Sequence, residues 1–122
     1  NAQIKILGEI PNSEIQEYYS LSDIFINPTY TEGFPRVILE AMASGLPIVT
    51  TNAGGIQDLL GSSQLEYMSD IENRDKFSEI LFNLIGDRNV QSKLIIENIK
   101  NVKRFSTETV AKMYINKIFK NE

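Results

Sequence analysis

Glu32-Gly33-Phe34-Pro35-Arg36-Val37-Ile38-Leu39-Glu40-Ala41-Met42-Ala43-Ser44 is the stretch whose reading decides the fold. A glycine-containing turn runs into a helix over Pro35 to Ser44. Proline suits the first turn of that helix, because the N–H it lacks has no intrahelical partner there anyway. Arg36, Glu40 and Ser44 recur at i, i+4 and i+8, so they make one narrow polar stripe. The remaining positions, Val37, Ile38, Leu39, Ala41, Met42 and Ala43, call for burial. A carboxylate on so apolar a helix is costly unless it has a partner, so the stripe is expected to face a cleft or a ligand.

Outward from this helix, short apolar runs alternate with helical patterns. Downstream, Gly45 stops the helix and Leu46 to Thr51 reads as a buried, β-branched strand. Asn52-Ala53-Gly54-Gly55 is a tight turn, Ile56 to Leu60 a short helix, and Leu65 to Met68 a weak further strand. Upstream, Ile24-Phe25-Ile26 is a second buried strand. Before it, Ser13 to Leu21 reads as a helix with Asn12 or Ser13 as its cap, and Ile4 to Leu7 as a strand. Continuous apolar strands joined by helices argue for an α/β fold, a Rossmann-like parallel sheet with flanking helices. This α/β part covers residues 1–72. Residues 73–122 read as a helical C-terminal region of three helices, with Phe77, Ile80, Leu81, Leu84 and Ile85 marking the buried stripe of the first. Val90 to Phe105 and Thr107 to Phe119 carry the other two, and the lysines of the last one mark a solvated face.

Composition excludes several classes of chemistry. With 122 residues the chain makes one domain with a modest core. The net charge of −4 gives no electrostatic reason to hold nucleic acid on a broad basic face. The absence of Cys and His removes disulfides, thiolate ligands, and the commonest general base and metal ligand, so no metal site is expected. No apolar run approaches the ~18 residues of a membrane span. The chain opens Asn1-Ala2-Gln3 without Met and enters a strand-like run at once, which reads as a piece of a longer polypeptide, although a processed N-terminus would look the same.

In an open parallel sheet, ligands sit beyond the carboxyl ends of the strands. Two loops leave such ends here, Pro28 to Phe34 and Asn52 to Gly55. Each contains glycine and leads into a helix, whose free N–H groups and positive dipole end suit phosphate or sugar oxygens. Gly33 and the candidate pocket-loop pair Gly54 and Gly55 would let backbone approach a ligand. Arg36 opposes the helix dipole, so it serves either an anion or a pair with Glu40 in the weaker orientation. Glu32 has two readings as well, ligand contact or simple stabilisation of the helix start. Asp58 reads as a surface or capping residue.

The segment Glu32 to Ser44 resembles the Glu-x7-Glu motif of the group 1 retaining glycosyltransferases, enzymes with two facing Rossmann-like domains (the GT-B architecture). The likeness extends upstream through Ile4-Lys5-Ile6-Leu7-Gly8 and Tyr18 to Thr29, and downstream through Gly45 to Gly55. It implies that the chain is part of the C-terminal, nucleotide-sugar-binding domain, incomplete over residues 1–122. The resemblance casts Glu32 as the catalytic-site carboxylate touching donor-sugar hydroxyls. It implies that Gly33, Phe34, Pro35, Arg36 and Val37 line the donor sugar and its phosphates, and that Glu40 accepts hydrogen bonds from the nucleotide ribose. Pro35 has no N–H to give, where many members have Gly. The Pro-Arg variant is similar to a subgroup linked to bacterial surface polysaccharides.

A basic Arg and Lys pair, which in this family neutralises the leaving diphosphate, would lie upstream of Asn1, as would the acceptor-binding domain. The resemblance therefore implies no cofactor beyond the nucleotide-diphosphate-sugar substrate, a glycan or lipid-linked acceptor held by the missing domain, no activity for this piece alone, and a cytoplasmic location extending to the inner face of the membrane. Two other classes compete. One is a non-catalytic Rossmann-like binding module; a phospho-receiver version fits poorly, because Asp23 precedes its strand and no strand-end Lys follows Thr50. The other is a sugar-nucleotide epimerase of related fold, which would be expected to offer His or further carboxylates in the cleft.

Overall fold

The computed structural model describes residues 3–29 and 36–105. Helix α1 (Asn12–Leu21) leads to strand β1 (Phe25–Asn27), then α2 (Arg36–Ala43), β2 (Ile48–Thr51), a 3-10 turn (Ile56–Asp58), α3 (Ser62–Leu65), β3 (Met68–Ser69), α4 (Arg74–Ile85) and α5 (Arg88–Val102). The strands form a parallel sheet in the order β1-β2-β3, with Phe25 opposite Ile48 and Thr51 opposite Ser69. The expected Rossmann-like α/β arrangement with a parallel sheet is thus present.

Apolar burial decides which helix covers which face. Side chains alternate along β2, so Ile48 and Val49 point to opposite sides, and both are fully buried. Ile48 joins Ile38, Leu39, Ala41 and Met42 of α2, with Tyr19, Ile56, Leu59 and Leu60, in one core. Val49 joins Ile80 and Leu84 of α4 and Leu94 of α5 in the other. Helix α2 ends where Gly45 takes φ +75. The Leu46 N–H then donates to the Ala41 carbonyl and the Gly45 N–H to that of Met42, each at 3.1 Å. This pattern closes the helix and turns the chain directly into β2.

Four expectations need correction. Ile4 to Leu7 is not a strand of this sheet; Ile4 and Ile6 are 87% and 91% exposed, because no neighbouring strand offers the ladder that β-propensity presupposes. The third strand is Met68–Ser69 rather than Leu65 to Met68, since Leu65 closes α3. Helix α1 starts behind Pro11 with no side-chain cap from that position, and the Pro11 carbonyl accepts the Glu14 and Ile15 amides instead. Ile85 lies in the last turn of α4, beyond the reach of the core, and is exposed. The expected helix over Thr107 to Phe119 lies outside the described residues.

Beside β2, the Gln64 amide stands in for a strand. It donates to the Ile48 carbonyl (2.5 Å) and accepts the Ile48 N–H (3.0 Å), upstream of the point where β3 begins to pair. Asn98 of α5 completes the cluster, donating to Gln64 Oε1 and to the Leu46 carbonyl, both at 2.9 Å. From the same helix, Glu97 Oε1 accepts the Ser63 and Gln64 amides at the start of α3. It lies where a Cβ on Gly61 would stand.

Asn98→Ala is expected to lower unfolding free energy by about 1–3 kcal/mol, because it leaves the buried Leu46 carbonyl without its donor; urea unfolding measures this. Gly61→Ala is expected to displace Glu97 and cost about 1 kcal/mol of capping energy. Added to Gly61→Ala, Glu97→Ala should then cost almost nothing, and additive losses in the double-mutant cycle would refute the coupling.

Candidate functional site

All three strands run the same way, so the segments after Asn27, Thr51 and Ser69 leave one edge of the sheet. Polar side chains tie these exits together. Asn27 Nδ2 donates to Thr50 Oγ1 (3.2 Å), and the Thr51 hydroxyl donates to the Thr29 carbonyl (2.6 Å), fixing the segment that leads toward α2. Asn52 Nδ2 donates to Asp70 Oδ1 (3.2 Å), joining the exits of β2 and β3. Beside them Pro28, Thr51, Ile71, Arg74, Phe77 and Ser78 line a cleft of about 290 Å³.

Helix α2 follows β1 at this edge and carries the polar stripe. Ile38, Leu39, Ala41 and Met42 are buried, which turns Arg36, Val37, Glu40, Ala43 and Ser44 outward. The open arc is wider than the stripe: Val37 and Ala43, expected inside, are exposed because the core ends at the Ile38–Met42 face. Arg36 Nε lies 3.6 Å from Glu40 Oε1 in an exposed i,i+4 pair, so of its two readings the pair is formed. Such a pair contributes only about 0–1 kcal/mol, so Arg36 stays available to an incoming anion.

Glu40 is half-buried, and its other oxygen, Oε2, accepts a hydrogen bond from the Tyr19 hydroxyl at 3.1 Å. Tyr19 comes from α1, is 7% exposed, and packs its ring against Phe25 at 5.9 Å between centroids. Burial first, then the hydrogen bond to Glu40 and its charge, push the phenol from the ordinary 10.0 up to about 12. One helical turn further on, Gln16 Nε2 donates to Ser44 Oγ (3.1 Å), and the Ser44 hydroxyl donates to the Glu40 carbonyl (2.9 Å). The polar stripe of α2 is therefore braced along α1 at two successive levels.

The structure brings Arg36, Val37 and Glu40 onto one open helical arc. Gly54 (φ +60) and Gly55 follow the carboxyl end of β2 as expected, but they lead into a 3-10 turn of three residues rather than a helix, so little dipole is available there. Asp58 is exposed on that turn, in keeping with a surface reading. Glu32, Gly33, Phe34 and Pro35 lie outside the described residues. Sequence reasoning missed Tyr19, whose signal was its i,i+4 spacing from Ile15 on α1. It also missed Asn27, Thr50 and Thr51, the polar residues that end two apolar strands.

The profile of the family described as glycosyl transferases group 1 matches residues 1–102. Among relatives, the chain is 31% identical over 110 residues to a sucrose-phosphate synthase of Spinacia oleracea, covering 87% of this chain and 10% of that protein. It is 27% identical over 113 residues to O-antigen chain mannosyltransferase B of Escherichia coli, covering 93% and 29%. TuaC of Bacillus subtilis, assigned by name to teichuronic acid biosynthesis, is 37% identical over 59 residues, covering 48% and 15%. The chain thus spans less than a third of the length of each of these relatives.

The raised Tyr19 value makes a signed prediction. The fold favours the neutral phenol, so this stabilisation is fully present below pH 10 and is lost as pH rises through about 12. At neutral pH, Tyr19→Phe is expected to cost about 0.5–1.5 kcal/mol in urea unfolding. That difference should shrink between pH 10 and 12, and the ultraviolet titration should show a late-ionising phase that Tyr19→Phe removes. A pH-independent difference would contradict the assignment.

Proposed function

The chain belongs to the group 1 glycosyl transferases, and from that membership we propose that it is the donor-binding part of a retaining enzyme. In this reading the whole protein moves a sugar from a nucleotide-diphosphate sugar to a glycan or lipid-linked acceptor, in bacterial surface polysaccharide or lipopolysaccharide synthesis. The observation that carries the reading is Glu40, a carboxylate held at a defined orientation on the open arc of an otherwise buried helix that follows a strand's carboxyl end.

Glu40 accepts the ribose hydroxyls, since an ionised carboxylate is an acceptor without a competing donor of its own. The helix N-terminus and Arg36 attract the diphosphate, and Arg36 leaves its weak pair to do so. Glu32 meets the donor-sugar hydroxyls, and the backbone around Gly33, Phe34, Pro35, Arg36 and Val37 lines the sugar and phosphates, with Gly54 and Gly55 beside it. Leaving-group stabilisation is electrostatic, without metal or cofactor. The names of TuaC and of the O-antigen mannosyltransferase favour surface polysaccharide as the product class. A lipid-linked acceptor would place the whole protein at the cytoplasmic face of the membrane by peripheral association. No described helix is long and apolar enough to cross one.

Calorimetric titration of UDP, GDP and ADP into the full-length protein tests this. The tightest binder is expected to lose about tenfold in affinity on Glu40→Ala, the loss of one charge-assisted contact. Unchanged affinity removes the ribose assignment. This chain on its own is expected to give no sugar transfer.

A further inference from the structure

Tyr19 and Glu40 come from different helices and meet through one directed hydrogen bond. Tyr19 is almost fully buried, with its ring wedged against Phe25 in the core that also holds Ile15, so its hydroxyl has one place to be. Glu40 is the opposite case, a long side chain on an open helical arc. Left alone it would sample several rotamers, and binding would have to order it. The Tyr19 hydroxyl takes a single site on Oε2, and Oε1 meets only the exposed Arg36 guanidinium at 3.6 Å, a contact that an incoming ligand can displace. A neutral donor fixes the group without cancelling its charge, which a buried Arg or Lys would do. The Arg36 contact at 3.6 Å, on an exposed guanidinium, cannot supply that fixation.

We propose that Tyr19 is a positioning residue for the donor nucleotide, holding the Glu40 carboxylate in the orientation in which its free acceptor sites meet the ribose hydroxyls. The inference rests on the ribose reading of Glu40 and adds to it a rigid support on α1. The second brace has the same origin: Gln16 reaches Ser44, and Ser44 returns to the Glu40 carbonyl, so α1 holds both the side chain and the backbone of the binding residue.

The test uses the full-length protein and the tightest of UDP, GDP and ADP, set against its 2′,3′-dideoxy counterpart, which lacks both ribose hydroxyls. Tyr19→Phe keeps the ring and removes only the donor, and its unfolding midpoint is measured alongside. It is expected to weaken the ribonucleotide about fivefold, leave the dideoxy ligand unchanged, and add nothing in a Glu40→Ala background. Equal weakening of both ligands would mean a structural role alone and overturns the proposal. Wild-type affinity in Tyr19→Phe, with Glu40→Ala still weakened, overturns the positioning role while the ribose reading stands. If Glu40→Ala is itself unchanged, or no nucleoside diphosphate binds, both fall together.

Discussion

The peptide group of Ile48 must find partners where water cannot reach it. Strand β2 is buried on both faces, and β1 covers one of its edges. On the other edge β3 pairs only with Thr50 and Thr51. An unpaired buried peptide costs a few kcal/mol, roughly the effect of a severe mutation. The Gln64 amide fills the gap, offering a donor and an acceptor in the arrangement a neighbouring strand would offer. Much of the architecture follows from that substitution. Gln64 must sit on a short helix to reach inward, that helix needs its amides capped, and Glu97 of α5 caps them. Asn98, one residue along, ties the same helix to Gln64 and to the Leu46 carbonyl at the end of α2.

Helix α2 is thereby held from three sides: by the sheet, by α5, and by the α1 seam. Its buried residues, Ile38, Leu39, Ala41 and Met42, occupy one continuous face, and a helix buried along such a face has no rotational freedom left. The polar arc points outward at the strand-exit edge as a consequence of where the apolar residues go. The position of Glu40 is thus set by Ile38, Leu39, Ala41 and Met42, and the direction of its carboxylate by Tyr19.

This explains what was legible in the sequence. The β1–α2–β2 unit could be read because its signals are local: continuous apolar runs, a proline and a glycine as punctuation, and a polar stripe at helical spacing. Glu40 and Arg36 stood out by the same local contrast. Gln64, Asn98 and Tyr19 did not, because their roles depend on residues 16 to 34 positions away in the chain for Gln64 and 21 for Tyr19. A buried Gln next to a weak strand looks like a surface residue until the missing ladder is seen. The Ile4 to Leu7 run failed for the converse reason: its β-propensity is real, but a strand is defined by its neighbour, and none pairs with it among the described residues.

The charge order along α2 gives the site its polarity. An Arg in the first turn sets a cation against the positive end of the helix dipole, the unfavourable placement, so the helix is locally destabilised by a few tenths of a kcal/mol to about 1. Glu40, one turn inward, returns little of that, because Arg before Glu is the weaker orientation and the pair is exposed. Under the proposed donor-binding reading the arrangement is accounted for: the dipole and the guanidinium would act on the same negative charge, and Glu40 would leave Arg36 while keeping its hydrogen bond from Tyr19. A diphosphate ester of a ribose is negative at one end and rich in hydroxyl donors at the other, so its charge order matches that of α2 from Arg36 to Glu40.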